Sequence, residues 1–177
     1  VDTCILAFTS GTTGQPKGTM HFHRDVMAAC TSFPGHVLRP RESDVFLGSP
    51  PLAFTFGLGG LVLFPMSVGA SIVLLEQAAP PALLEAIPAY GVTTLITAPT
   101  SYRVMAETAR KMHLSVAQGG TLRQCVSAGE VLPAATRALW KDATGIEIID
   151  GIGATEMLHI FISADEAHAR PGATGTV

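Results

Sequence analysis

Short apolar runs rich in β-branched residues alternate with stretches of helical periodicity along almost the whole chain. Runs of this kind, bounded by turn-forming residues, are typical of buried strands. The predicted strands are Cys4 to Phe8, Val45 to Leu47, Ser71 to Leu75, Thr93 to Thr97, Gln124 to Ser127 and Glu147 to Asp150.

Apolar residues recur at helical spacing between the predicted strands. The last of these segments begins with Pro133 in its first turn and stops at Gly145, as helices commonly do. The predicted helices are His23 to Leu38, Gly57 to Val68, Pro81 to Tyr90, Ser101 to Met112 and Pro133 to Thr144. This alternation favours an α/β fold with a largely parallel sheet covered by helices, whose ligands bind beyond the carboxyl ends of the strands.

The composition adds an expectation about the surface. Of the 177 residues, 47% are hydrophobic and only 14% are charged. So few charges suggest that part of the surface packs against the missing remainder of its own chain. Residues 45–75 contain no charge at all, but prolines and glycines divide them into pieces shorter than the roughly 20 residues of a membrane span. We therefore expect no membrane span.

Charge and cysteine content exclude further classes. The net charge is −3 and there is no basic run, which disfavours a nucleic-acid partner. Cys4, Cys30 and Cys125 are widely spaced and form no CxxC motif, so neither a disulfide framework nor a thiolate zinc site is indicated. The cytoplasm is the expected compartment. Because Val1 is followed at once by an apolar run without a signal-type pattern, the chain is expected to begin at a cut end.

The most informative segment follows the first predicted strand. It is TSGTTGQPKG, from Thr9 to Gly18. Its glycines permit tight turns, its hydroxyl and N–H groups donate to phosphate oxygens, and Lys17 supplies a positive charge. A flexible linker is the alternative, but linkers seldom join an apolar strand directly to a helix. Since Pro16 precedes the lysine and Gly18 follows it, the segment is not a Walker A loop.

Together with three later segments, this loop resembles the signatures of the adenylate-forming superfamily, which includes acyl-CoA synthetases and the adenylation domains of peptide synthetases. The later segments are PPLAFTFG at 50–57, SAGEVLP at 127–133 and DGIGATE at 150–156. All four occur in the family's order. The stretch DGIGATEMLHIFI, at 150–162, is most similar to the aryl-CoA ligase branch, of the benzoate and 2-aminobenzoate type.

The resemblance implies that residues 1–177 are a fragment of the AMP-binding N-terminal domain, with both ends cut and the C-terminal domain absent. The family's ribose-binding aspartate and mobile catalytic lysine cannot be placed in this sequence. The isolated fragment is therefore expected to be inactive, while its parent would be an AMP-forming acid–thiol ligase. The exact acid and the oligomeric state are not specified by the sequence.

The implied reaction uses ATP, Mg²⁺ and coenzyme A, and the resemblance assigns residues to it. Lys17, Thr155 and Glu156 are the catalytic candidates, Thr155 at the α-phosphate and Glu156 as the ligand of Mg²⁺. The remaining nucleotide-binding candidates are Thr9, Ser10, Gly11, Thr12, Thr13, Gly14, Gly129, Glu130, Asp150, Gly151, Ile152 and Gly153. Ile152 departs from the family pattern, because an aromatic residue usually stacks on the adenine there.

The implied acyl pocket contains aromatic residues and one histidine. Its candidates are Phe54, Thr55, Phe56, His159 and Ile160. Phenyl walls suit a flat aryl ring, and His159 would hydrogen-bond an aryl substituent or the carboxylate. A small-molecule aromatic carboxylate such as benzoate or 2-aminobenzoate is therefore the expected substrate. The alternative is that both phenylalanines are plain core residues and His159 is a structural histidine.

Other functions remain open from the sequence. A peptide-synthetase adenylation domain is one, although the aspartate expected in its acyl-pocket motif is missing from residues 50–57. A non-catalytic nucleotide-binding module and a purely structural α/β interaction domain are the others. His21 and His23 form an H-x-H pair, but no third metal ligand lies near them in the sequence.

Overall fold

The computed structural model describes residues 2–9, 15–112 and 120–175. Its strands are β1 (Thr3–Thr9), β2 (Lys17–Phe22), β3 (Val45–Gly48), β4 (Ser71–Val73), β5 (Thr94–Thr97), β6 (Gln124–Ala128), β7 (Ile148–Gly153) and β8 (Ile160–Ser163). Its helices are α1 (His23–Thr31), α2 (Thr55–Leu58), α3 (Phe64–Val68), α4 (Pro80–Ala89), α5 (Pro99–Lys111) and α6 (Ala134–Thr144). Pro34–Leu38 and Gly59–Leu63 form π-helical turns, and Thr155–Met157 forms a 3₁₀ turn.

Six strands form one sheet in the order β4-β3-β5-β6-β7-β8. The first five run parallel, and β8 runs antiparallel to β7. Helices connect the parallel strands, as parallel pairing requires long crossovers. The predicted α/β class with a largely parallel sheet is therefore confirmed.

The sheet is covered on both faces because successive strand residues point to opposite sides. Leu95 and Cys125 belong to a cluster that includes Tyr102 of α5 and Trp140 of α6. The neighbouring strand residues Ile96 and Val126 pack instead with Phe33, Phe46, Phe64 and Ile149 on the other side. With both faces buried, the strand ends are left as the place for a ligand.

The glycine-rich loop lies in a different setting from the one the sequence predicts. Instead of leading from a strand into a helix, it joins β1 to β2, which pair antiparallel with Thr9 opposite Lys17 and form a separate two-stranded sheet. The strand β2 was not predicted, because its sequence does not show the usual alternation of buried apolar and exposed polar residues. Met20 is 62% exposed while His21 is 4% exposed, so the apolar and polar positions are the reverse of the usual alternation.

Two predicted helices have different bounds. The helix predicted for 23–38 ends at Thr31 and is followed by the π-helical turn at 34–38, because Pro34 has no N–H to continue an α-helical ladder. The helix predicted for 57–68 begins at Thr55 and contains the π-helical turn at 59–63.

The end of the sheet also differs from the prediction. The strand predicted for Glu147 to Asp150 begins at Ile148 and continues to Gly153. Pairing with β8, which the sequence analysis missed, keeps Gly151 and Gly153 extended. Among the described residues, no helix combines the length and the apolar character needed to cross a bilayer.

Candidate functional site

Two adjoining pockets open at the carboxyl ends of β6 and β7. The larger has a volume of about 400 Å³ and the smaller about 210 Å³. Gly129, directly after β6, and Gly153, the last residue of β7, line both of them. The two pockets therefore meet at the edge of the sheet where a parallel fold places its ligands.

The larger pocket gathers every predicted nucleotide-binding residue outside the glycine-rich loop. These six residues are Gly129, Glu130, Asp150, Gly151, Ile152 and Gly153. Gly129 and Glu130 directly follow β6, and the other four belong to β7. The two strands are neighbours and pair with Ala128 opposite Gly151. Residues distant in the sequence thus form one continuous wall.

Two carboxylates of this pocket differ in their hydrogen bonds. Glu130 accepts a hydrogen bond of 2.7 Å from the hydroxyl of Thr100, in the first turn of α5, and is otherwise exposed. Oδ1 of Asp150 is buried and has no hydrogen-bond partner among the described residues. Burial raises the pKa of Asp150, although the charge of Arg137 opposes the shift. Asp150 lines the larger pocket, and its Oδ2 accepts a hydrogen bond of 3.4 Å from the hydroxyl of Thr174.

The sequence analysis missed several residues of the larger pocket. These are Val131, Leu132, Arg137, Gly172, Ala173 and Thr174. Val131 and Leu132 lie in the motif segment already identified, so their position was available from the sequence. Arg137 belongs to none of the motifs, so the sequence did not indicate that it lines the pocket. It is a buried residue of α6, and its guanidinium donates a hydrogen bond of 2.7 Å to Glu147.

The smaller pocket combines the start of α2 with the segment between β7 and β8. Its lining consists of Thr55, Phe56, Ala128, Gly129, Gly153, Ala154, Thr155, His159 and Ile160. Four of the five predicted acyl-pocket residues are therefore brought together. The fifth, Phe54, is 66% exposed and is not part of the lining. It precedes the first residue of α2 in an extended conformation, which separates it from Phe56.

His159 forms an aromatic wall of the smaller pocket. It is 3% exposed, and its ring lies edge-on to Phe64 with ring centroids 4.4 Å apart. The ring also packs on the backbone of α2 and the following π-helical turn, where a Cβ at Gly59 would overlap it. Only glycine permits this close approach.

The hydrogen bonds of His159 define which nitrogen carries its proton. Nε2 lies 3.2 Å from the carbonyl oxygen of Phe56, and because a carbonyl only accepts, Nε2 is the donor. Burial lowers the pKa of His159 to about 4, so the ring is neutral near pH 7. Nδ1 is thus an acceptor, and it has no partner among the described residues.

The phosphate-side residues lie on two different parts of the fold. Thr9 ends β1 and is half-buried, while Lys17 begins β2 and is exposed. Ser10, Gly11, Thr12, Thr13 and Gly14 lie outside the described residues. Thr155 and Glu156 form the 3₁₀ turn after β7, where Thr155 lines the smaller pocket and Glu156 is exposed.

His21 connects these two parts. Its Nε2 lies 2.8 Å from the carbonyl oxygen of Thr155. The sequence analysis considered His21 only as half of a metal-binding pair with His23. In the structure His21 is on β2 and His23 begins α1.

The described residues hold no group of three or more histidine, cysteine or carboxylate side chains close enough to bind a metal ion. A single exposed carboxylate, Glu156, stands beside Thr155. Since Mg²⁺ commonly binds to one or two carboxylates, several waters and substrate phosphates, this donor set fits a magnesium ion carried by a nucleotide rather than one held by protein alone.

Comparison with known proteins gives consistent matches over the whole chain. The sequence model of the AMP-binding enzyme family matches residues 1–177. The chain is 36% identical to a benzoate–CoA ligase of Thauera aromatica over 178 residues, and 36% identical to an anthranilate–CoA ligase of Pseudomonas aeruginosa over 173 residues. The alignments cover 98% and 97% of this chain but 33% and 32% of the relatives.

A solved structure of an anthranilate CoA ligase, in complex with anthranoyl-AMP, has the same fold. It superposes with a TM-score of 0.89 at 44% identity and covers 98% of this chain and 33% of that chain. The present chain therefore spans about a third of the length of the proteins it matches.

Proposed function

Because the chain belongs to the AMP-binding enzyme family, we propose that the full-length protein is an ATP-dependent acid–CoA ligase for an aromatic carboxylate. The resemblance to the adenylate-forming superfamily and its aryl-CoA ligase branch, inferred from four motifs, is confirmed by the family match and by the relatives. The activity and substrate of the whole protein are our proposal, since the chain spans a third of those relatives.

The proposed reaction has two steps. A carboxylate oxygen of the acid attacks the α-phosphorus of ATP, forming an acyl–AMP mixed anhydride while the bond to pyrophosphate breaks. The sulfur of coenzyme A then attacks the acyl carbon, giving a thioester and releasing AMP. The first step gathers negative charge around the α-phosphorus, so the protein must supply positioned donors and cations there.

The observation that carries the proposal is the junction of the two pockets. Six nucleotide-side candidates line the larger pocket, four acyl-side candidates line the smaller, and both pockets share Gly129 and Gly153. A nucleotide in the larger pocket and an acid in the smaller would bring the α-phosphate and the carboxylate together at this junction, next to Thr155. Holding two reactants in this way accounts for a large part of a catalytic barrier.

Asp150 supplies a reason for binding adenine in the larger pocket. Its side chain lines this pocket, and a carboxylate there favours a ligand that donates an N–H. Adenine carries an exocyclic amino group, whereas guanine presents a carbonyl oxygen at the same ring position. Ile152, 46% exposed beside it, offers aliphatic contact to the base.

The phosphates would be bound from two sides. Thr9 and Lys17 belong to the β1–β2 hairpin, and Thr155 and Glu156 belong to the turn after β7. The proposal also includes Ser10, Gly11, Thr12, Thr13 and Gly14, as the family resemblance implies. We assign Lys17 to the β- and γ-phosphates and Thr155 to the α-phosphate. Mg²⁺, held by Glu156 and the phosphates, would neutralise charge that develops on the phosphate oxygens.

The smaller pocket favours an aromatic acid. Phe56, His159 and Ile160 give it flat and branched apolar walls, and its volume of about 210 Å³ suits one ring better than a long acyl chain. The neutral ring of His159 lines this pocket, and it carries no positive charge that would pair with a carboxylate. Benzoate and its amino or hydroxy derivatives are therefore the proposed substrate class.

Acid-dependent exchange of labelled pyrophosphate into ATP tests the proposal on the full-length protein. Exchange with benzoate or 2-aminobenzoate, followed by thioester formation with coenzyme A, is the expected result. Exchange with amino acids alone would indicate a peptide-synthetase type of adenylation. Nucleotide binding without any exchange would indicate a non-catalytic module.

A further inference from the structure

The β1–β2 hairpin is tied to the site by a single buried histidine. Nε2 of His21 lies 2.8 Å from the carbonyl oxygen of Thr155, and the histidine is 4% exposed. Within residues 2–9, 15–112 and 120–175, no other hydrogen bond connects β1 or β2 with the six-stranded sheet or its loops.

The acceptor of this bond shapes the turn that follows β7. The carbonyl oxygen of Thr155 also accepts a hydrogen bond of 3.2 Å from the N–H of Leu158, which closes the 3₁₀ turn. Because a carbonyl oxygen has two lone pairs, both of its acceptor positions are used. His21 therefore holds the backbone group around which the turn is built.

The same face of β2 carries both His21 and Lys17. Side chains two positions apart share a face of a strand, so Lys17, Thr19 and His21 point the same way. Thr19 is half-buried and His21 buried, whereas Gly18 and Met20 are exposed, so this face is turned toward the rest of the protein. At 3.3 Å per residue, His21 is about 13 Å along the strand from Lys17.

We propose that His21 is a positioning residue for adenylate formation, which holds the hairpin, and with it Lys17, in register with the turn that contains Thr155. The inference rests on the proposed function, in which Lys17 and Thr155 bind phosphates of one ATP molecule. Lys17 lies on the hairpin and Thr155 in the turn after β7, so their spacing depends on how the hairpin is joined to that turn. A misplacement of about 1 Å costs roughly 10²-fold in rate.

Three variants of the full-length protein test the role of His21. His21→Leu keeps an apolar side chain but removes the donor. His21→Gln retains a donor, because the amide nitrogen of glutamine reaches about as far from the backbone as Nε2 of histidine. His36→Gln is the matched control, since His36 is exposed and lies in the π-helical turn at 34–38.

The two half-reactions are measured separately. We expect His21→Leu to lower kcat for acid-dependent pyrophosphate exchange by 10- to 100-fold, and His21→Gln to stay within about threefold of the wild type. Thioester formation from preformed acyl-AMP and coenzyme A no longer needs the β- and γ-phosphates. It should therefore change by less than threefold in both variants, when rates are expressed per folded active site.

Each outcome bears on the proposal. Unchanged exchange in His21→Leu, an equal loss in His21→Gln, or equal losses in both half-reactions would overturn the positioning role while the wild type remains an active ligase. No exchange in the wild type with any acid would overturn the proposed function, and the role of His21 with it.

Discussion

Nε2 of His159 donates to the carbonyl oxygen of Phe56 over 3.2 Å, joining the segment between β7 and β8 to the first turn of α2. The two residues line the smaller pocket side by side, with ring centroids 5.5 Å apart. This hydrogen bond fixes the orientation of the His159 imidazole, which the sequence alone suggested as a group that binds the substrate. It also fixes the neutral tautomer whose Nδ1 is left to accept a hydrogen bond.

Burial of His159 predicts that the protein loses stability on mild acidification. Its pKa is lowered from 6.5 to about 4, so between these values the unfolded chain binds a proton that the folded chain does not. Stability therefore falls as the pH decreases through this window, by about 1 kcal/mol between pH 7.5 and pH 5.5. Urea unfolding at the two pH values measures this loss.

The variant His159→Asn isolates that contribution, because asparagine does not titrate. It should be less stable at pH 7.5 but should lack the extra acid-dependent loss, whereas the control His36→Gln should keep it. Parallel pH profiles for the wild type and His159→Asn would show that His159 is not the group responsible.

Lys17 is predicted to act on ATP and hardly at all on folding. It is exposed at the first position of β2, so Lys17→Ala removes a charge without opening a cavity. Loss of a charged hydrogen bond to phosphate should weaken ATP handling by about 1.5–3 kcal/mol, seen as a raised KM for ATP or a lower kcat in pyrophosphate exchange. Lys111→Ala, at the end of α5, removes an exposed lysine far along the chain and serves as the control. Wild-type constants in Lys17→Ala would exclude the phosphate-binding role.

The sequence predicted the parts of the site that depend on local chemistry. The position of the larger pocket was predictable from the carboxyl ends of β6 and β7 and from the glycines of the motifs there. Parallel pairing brings the ends of neighbouring strands together, whatever side chains they carry. His21 was not predictable in this way. Its partner Thr155 is 134 positions away, and the strand that carries it has an inverted polarity pattern. For Phe54, the motif alone predicted the wrong position. The residue belongs to the acyl-pocket motif, but it lies just before the first residue of α2 and is exposed.

Glu156 is predicted to be needed for the metal-dependent step. Glu156→Gln preserves the shape of an exposed side chain but removes its charge, so acyl-AMP formation should fall by orders of magnitude while Tm hardly changes. The rate is measured across a Mg²⁺ titration. Glu85→Gln, an exposed carboxylate on α4, is the control. Identical Mg²⁺ dependence in Glu156→Gln and the wild type would rule out the metal role.

Asp150 is predicted to select the base. Asp150→Ala removes a carboxylate that lines the larger pocket and should cost about 1–3 kcal/mol of ATP affinity, with a smaller effect on GTP. Asp150→Asn retains one acceptor oxygen, so its ATP affinity should lie between that of the wild type and that of Asp150→Ala. Asp142→Ala, exposed on α6, provides the comparison. Equal losses for ATP and GTP in Asp150→Ala would mean that Asp150 does not recognise the base.

The acid specificity is predicted to follow the walls of the smaller pocket. An aryl ring in this pocket would contact Phe56, His159 and Ile160 together. Each CH₂ contact contributes only about 0.8 kcal/mol, so discrimination against small acids must come from the whole ring. We expect kcat/KM for benzoate-type acids to exceed that for acetate by at least about 10²-fold in coenzyme A thioester formation.

Variants of the same pocket make this specificity test sharper. Phe56→Ala should reduce the preference for the aryl ring, whereas Phe54→Ala should leave it nearly unchanged if the exposed position of Phe54 persists in the full-length protein. His159→Ala should alter the ranking among amino- and hydroxybenzoates more than the KM for ATP, because His159 lines the pocket proposed for the acid and not the one proposed for the nucleotide. A preference of the wild type for acetate, a fatty acid or an amino acid would overturn the aryl assignment. An equal loss in Phe54→Ala and Phe56→Ala would instead show that both phenyl rings contact the acid.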